Sequence, residues 1–205
     1  IHHYNPAVPL VSSQLVIKSG SGANPLAQPG LSSFTAQLLQ EGTSTRSAPQ
    51  IADDVAQLGT FLGTGSGADA SFAQLTSLKT TFPQALDVLA DVVQHPQFPQ
   101  EEVERQRASR IGELAQQREN AGAVAARVEA AALYGPQHPY GTIQLGTEAA
   151  LKATSRADLQ AFWQQHYVPN NAALIVSGDI DAAQLKALAE AKFGGWKAGA
   201  VAPSV

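Results

Sequence analysis

Cysteine is absent from the 205 residues, which excludes disulfides, thiolate zinc sites and thiol nucleophiles together. Methionine is absent too, even from position 1. A chain that starts at Ile1 is therefore expected to be processed or part of something longer, and no signal peptide is visible. Charge is sparse: 15% of residues carry one, for a net of −4. Lys and Arg are scattered rather than gathered into a basic stripe or an RNA-binding motif, so nucleic acid is not expected as a partner. No apolar run reaches the ~18 residues of a membrane-spanning helix, so no membrane insertion is expected.

What is present is a 44% apolar chain of a length suited to one domain, read as a single unit over 1–196 with a linker-like Ala/Gly/Pro/Ser tail at 197–205. Residues 8–18 are β-branched and apolar and predict a strand. Gly20, Gly22, Asn24, Pro25 and Pro29 mark a loop over 19–30. Leu31, Phe34, Leu38 and Leu39 fall at helical spacing, giving a helix over about 30–41 that Gly42 stops. Ser47 with Gln50 forms a capping box for the next helix, whose apolar stripe is Ile51, Val55 and Leu58, with Gly59 after it.

Residues 60–66 and 69–79 predict two strands hinged at Gly65-Ser66-Gly67, and helices follow over 82–94, 100–119 and 122–134. After a turn-rich loop at 135–146 come a helical turn at 148–152 and a helix over 156–166 capped by Ser155 and Asp158. A buried strand at 172–177 and a helix over 182–193 complete the pattern. Strands and helices do not alternate strictly. The expected fold class is therefore α+β, a mostly antiparallel sheet with helices packed on one face.

Several landmarks stand in a fixed order: Gly30-Leu31-x-x-Phe34 through Glu41-Gly42-Thr43, Ala85 to Asp91, Phe98-Pro99 before the charged helix, His138-Pro139-Tyr140-Gly141, and Tyr167-Val168-Pro169-Asn170-Asn171 leading to Val176-Ser177-Gly178-Asp179. Together they resemble one domain of the pitrilysin/insulinase family of zinc peptidases, which includes the mitochondrial processing peptidase. The resemblance spans nearly the whole chain.

In active members, the first helix carries two histidines one turn apart that bind one zinc ion. A glutamate just before the second polarises the zinc-bound water. A third ligand, also a glutamate, lies in the long charged helix. Here Ser33 and Gln37 take the two histidine positions and Ala36 takes that of the base. The distal glutamate aligns at or beside Leu114, with Glu113 adjacent. The resemblance thus implies no catalytic residue, no metal ligand and no cofactor in this domain. Restoring the three residues of the first helix is expected to give no activity without a glutamate near Leu114.

Other residues offer no substitute. His2-His3 read as tag or native terminus. His95, His138 and His166 read as structural, the last as a cation suited to a helix C-terminus. Ser32 and Ser33 lack a nucleophile-elbow context. Gly63-Thr64-Gly65-Ser66-Gly67 lacks the lysine and helix of a phosphate loop. Asp53-Asp54 and Asp179/Asp181 lack a calcium-loop pattern. The charges of the 100–119 helix (Glu101, Glu102, Glu104, Arg105, Arg107, Arg110, Glu113) read as a solvated face.

The resemblance implies an inactive domain that completes a peptide-degradation chamber with a zinc-bearing half or subunit, and so meets peptide substrates through that partner. The alternative is a scaffold or binding module of the same fold without a peptidase partner, as in respiratory-complex core subunits. A weakly active enzyme with a relocated site rests only on Glu113. Bacterial members of this type imply an exported, periplasmic setting, with the cytoplasm as the alternative.

Overall fold

The computed structural model describes residues 1–136 and 138–201. Gln137, in the turn-rich loop, and the last four residues of the linker-like tail lie outside the described residues. Within that tail, Gly199 exchanges two hydrogen bonds with the Asn170 side chain.

Five strands form one sheet. They are β1 (His2–Tyr4), β2 (Leu10–Ile17), β3 (Phe61–Ser66), β4 (Ser71–Leu78) and β5 (Ala172–Gly178), in the spatial order β1-β5-β2-β4-β3. Every pairing is antiparallel except β1 with β5, which is parallel. Alternation along β2 and β4 decides which face is covered: Val11, Leu15, Ile17, Ala73 and Leu75 are buried, whereas Ser12, Gln74 and Thr76 between them are exposed. The helices supply the cover: α1 (Leu31–Leu38), α2 (Ala48–Gln57), α3 (Phe82–Gln94), α4 (Gln100–Glu119), α5 (Ala121–Tyr134), α6 (Glu148–Ala153), α7 (Arg156–His166) and α8 (Ala182–Phe193). This is the expected α+β class.

Local signals explain most boundaries. Both capping boxes form: Ser47 with Gln50 starts α2, and Ser155 with Asp158 starts α7. Such a cap satisfies amides that have no partner inside the helix. Asn120 caps α5 in the same manner without being read as a cap. The Phe-Pro landmark has a packing cause. Phe98 is fully buried in an edge contact with Trp163 and holds a left-handed φ of 47°. The interior fixes a backbone conformation that such a residue otherwise disfavours.

His2 and His3 lie in β1, and His2 Nε2 also lies 2.8 Å from the Ile180 carbonyl. Three expectations need correction. The β3–β4 turn falls later, at residues 67–70, closed by the Gly67 amide donating to Ala70. Strand β5 is half-buried rather than buried along most of its length. His166 is no exposed dipole cation: it is buried, and its Nδ1 lies 3.0 Å from Ser19 Oγ, which also accepts from Asn171. Burial lowers its pKa, so the neutral imidazole is favoured there.

Candidate functional site

Helix α1 crosses β3 and β4 and packs against α4 and α7. Its entry is set by Gly30, at φ 90°, packed against Gly146, at φ 88°. A Cβ on Gly30 would stand 2.7 Å from the Gly146 backbone, so only glycine permits both the conformation and the approach. Leu31, Phe34 and Leu38 anchor the inner face with almost no exposure. Ser33 and Gln37, one turn apart, are half-buried on the side facing α4; Ala36 is fully buried in the core.

The group that meets them is Arg110. Its Nη1 donates to Gln37 Oε1 at 2.7 Å, and its Nη2 donates to Ser33 Oγ at 2.6 Å and to the Leu145 carbonyl at 3.2 Å. The guanidinium also sits 5.1 Å from the centre of the Phe34 ring, within cation–π range. Arg110 is only 4% exposed, and its Nε is buried with no hydrogen-bond partner among the described residues. Nor does it form an ion pair with any described carboxylate. Loss of hydration pushes its pKa down to about 10, with the charge of Glu113 opposing the shift.

The polar contacts continue outward. Gln37 Nε2 donates to Gln106 Oε1 at 2.6 Å, and Gln106 Nε2 donates to the Glu41 carboxylate. Glu41 is closed on its far side by Arg105 at 2.6 Å. A guanidinium can only donate and an ionised carboxylate can only accept, which fixes both amide orientations between them. The result is a relay from Arg110 through two amides to Glu41, in which each bond polarises the next. Ser33 completes the tie, its hydroxyl reaching the Gly30 and Gln144 carbonyls. Helix α1, helix α4 and the 144–145 segment are thereby joined at one point.

The solvated-face reading of α4 fails at this point. Val103, Gln106, Arg110 and Leu114 are its buried residues, and they lie on one helical stripe. The sequence carried that signal: the line joining the apolar Val103 and Leu114 passes through Gln106 and Arg110. Leu114 belongs to the core. Glu113 is exposed and accepts from Gln117, at 3.3 Å.

A hydroxyl, an amide and a fixed guanidinium do not suit zinc, which takes imidazole, thiolate or carboxylate donors. Among the described residues, no group of three His, Cys, Asp or Glu side chains is placed to hold a metal. His95 is engaged with Asp91 at 3.1 Å. His138 stacks on Tyr134 and meets Tyr140 edge-on. The hydroxyl of Tyr140 donates to Asp69, on the β3–β4 turn.

Fold and site together define an α+β domain in which neutral groups and one organic cation fill the contact between α1 and α4. A family model described as insulinase (peptidase family M16) matches residues 1–144, and one described as the peptidase M16 inactive domain matches 153–205. The chain belongs to the M16 peptidase family.

A protein described as an uncharacterized zinc protease from Rickettsia felis is 28% identical over 96% of this chain and 48% of its own length. The β subunit of the mitochondrial processing peptidase from Blastocladiella emersonii is 25% identical over 93% of this chain and 41% of its own length. The chain thus spans about half the length of the curated relatives it matches. A crystal structure titled as a peptidase M16 inactive domain from Pseudomonas fluorescens superposes with a TM-score of 0.93. It is 26% identical and covers all of this chain and 50% of that one. The first half of the periplasmic protease PqqL from Escherichia coli gives a TM-score of 0.89 at 19% identity, over all of this chain and 46% of that one. That likeness concerns the fold.

Proposed function

We propose that this chain is a non-catalytic M16 domain that takes part in peptide degradation only by completing a chamber with a zinc-bearing half or subunit. The observation that carries the reading is the α1–α4 contact. Ser33 and Gln37 supply no adequate ligand, Ala36 supplies no base, and Arg110 fills the space between the helices. The spans of the relatives support a larger assembly, because each is about twice as long as the part matched here. Helix α5 supports it as well: it buries no residue of its own and exposes Val128, Leu133 and Tyr134. An apolar face of this kind is a common feature of contact surfaces. We further propose the single 1–196 domain as the unit, and a periplasmic setting by analogy with PqqL. No described helix is long and apolar enough to cross a membrane.

The test is expression of the chain alone and together with a zinc-bearing M16 half. Metal content and cleavage of a quenched fluorescent peptide are measured in each case. Zinc and cleavage are expected only in samples containing the second half, with activity rising when this chain is added. Stoichiometric zinc or peptide cleavage by this chain alone would overturn the reading.

A further inference from the structure

We propose that Arg110 is a built-in cation standing at the metal's station, and that its presence, beyond the loss of ligands, closes this site to a divalent ion. Three observations converge on it. First, one guanidinium spans the two positions on α1 from which a pair of imidazoles would converge, with one nitrogen 2.7 Å from Gln37 and another 2.6 Å from Ser33. Second, the charge is immobilised. Arg110 is almost fully buried, lies against Phe34, and is linked by hydrogen bonds through Gln37 and Gln106 to the Glu41 carboxylate. Third, the link joins α1, α4 and the carbonyl of Leu145, the kind of cross-element tie that a coordinated ion provides.

A metal entering here would have to displace a desolvated positive charge or stand beside it. Repulsion of a doubly charged ion at such range in a poorly screened interior is strong. Replacing ligands alone therefore leaves the obstacle in place.

The inference concerns the isolated chain and needs no partner, so it can fail while the proposed function stands, and the reverse. Two variants decide it. Ser33→His with Gln37→His places two imidazoles one turn apart and keeps Arg110. The second variant adds Arg110→Gln, which removes the charge but keeps length and polarity. Each is titrated with Co²⁺, read by its visible absorbance, and with Zn²⁺ by calorimetry. The variant that retains Arg110 is expected to bind about a hundred-fold or more weakly than the one that lacks it. Affinities within threefold of each other would overturn the proposal.

Should the histidine variants not fold, Gln37→Glu tests the same charge. The substitution also costs the bond to Gln106, so it is made both in the native chain and in Arg110→Gln, where that cost is the same. An immobilised cation without a direct counter-ion gains one, so the change in the midpoint of thermal unfolding is expected to be more favourable by a few degrees where Arg110 is present. Equal changes in the two backgrounds would overturn the proposal.

Discussion

Arg46 and Arg110 both reach into the interior of this chain, and they meet opposite surroundings. Arg46, in the loop before α2, lies 2.9 Å from Asp54, 2.8 Å from Asp87 and 2.7 Å from Asp91. Thr43 and Thr45 add hydroxyl donors to the same Asp91 carboxylate. Arg110 is more deeply buried and, among the described residues, touches no carboxylate, only an amide oxygen, a hydroxyl, a carbonyl and an aromatic face. Burial works against the charge in both. At Arg46, hydrogen bonds to Asp91, Asp87 and Asp54 overcome it and raise the pKa; at Arg110 burial wins.

The difference separates two kinds of interior cation. Arg46 ties the Gly42-Thr43 loop and α2 to α3 through ordinary charge neutralisation, and any domain could use such a cluster. Arg110 has no carboxylate in direct contact among the described residues, and the amide relay links it to Glu41 at a distance.

Removing each cation in turn tests this contrast most severely. Arg46→Met leaves three carboxylates facing one another, one of them on the largely buried Asp91. Losing one partner of a buried pair costs ~3–5 kcal/mol. Solvent screening at Asp54 and Asp87, each about 40% exposed, reduces the expectation to ~2–3 kcal/mol. Arg110→Met removes a charge that has no direct partner and leaves Gln37 Oε1 short of a donor, for a net loss of about 1 kcal/mol or less. Urea unfolding of the two variants measures both values. A larger loss for Arg110→Met than for Arg46→Met would reverse the comparison.

Acid sharpens it further. Burial would raise Asp87 and Asp91, but their hydrogen bonds, from Lys192 and Arg46 in one case and from Thr43, Arg46 and Thr45 in the other, hold them below the ordinary 3.8. A carboxyl with a depressed folded value contributes its full stability above 3.8 and loses it as pH falls from there through the folded value. His166 acts earlier. Burial lowers it from 6.5, so the unfolded chain takes the proton first and stability declines once pH drops below 6.5.

Thermal unfolding followed from pH 8 to pH 3 should therefore lose stability in two stages. His166→Asn should flatten the upper stage and Arg46→Met the lower. Arg110→Met should leave both intact, as its immediate partners do not titrate. A flattened stage in that last variant would show the two cations to be coupled.

Much of the fold was legible in advance for local reasons. The capping boxes at Ser47 and Ser155, the breaks at Gly59, Gly135 and Pro169, and the two-residue alternation of β2 and β4 are all written in neighbouring residues. β1 was not legible, because a three-residue strand has no period and its partner β5 lies at the far end of the chain. The relay was only half legible. That Ser33, Ala36 and Gln37 are not zinc-ligand types is read directly from the residues. That Arg110 meets Ser33 and Gln37 depends on how α4 packs against α1.

The sequence by itself determined the family and the residue types at positions 33, 36 and 37, since both depend on which side chains stand at which intervals. Only the tertiary structure decided which group meets Ser33 and Gln37. Packing α4 across α1 brings residues 33, 37 and 110 together; the stripe through Val103 and Leu114 puts Arg110 on the inner side of α4, but no local pattern encodes which residues of another helix its guanidinium will meet.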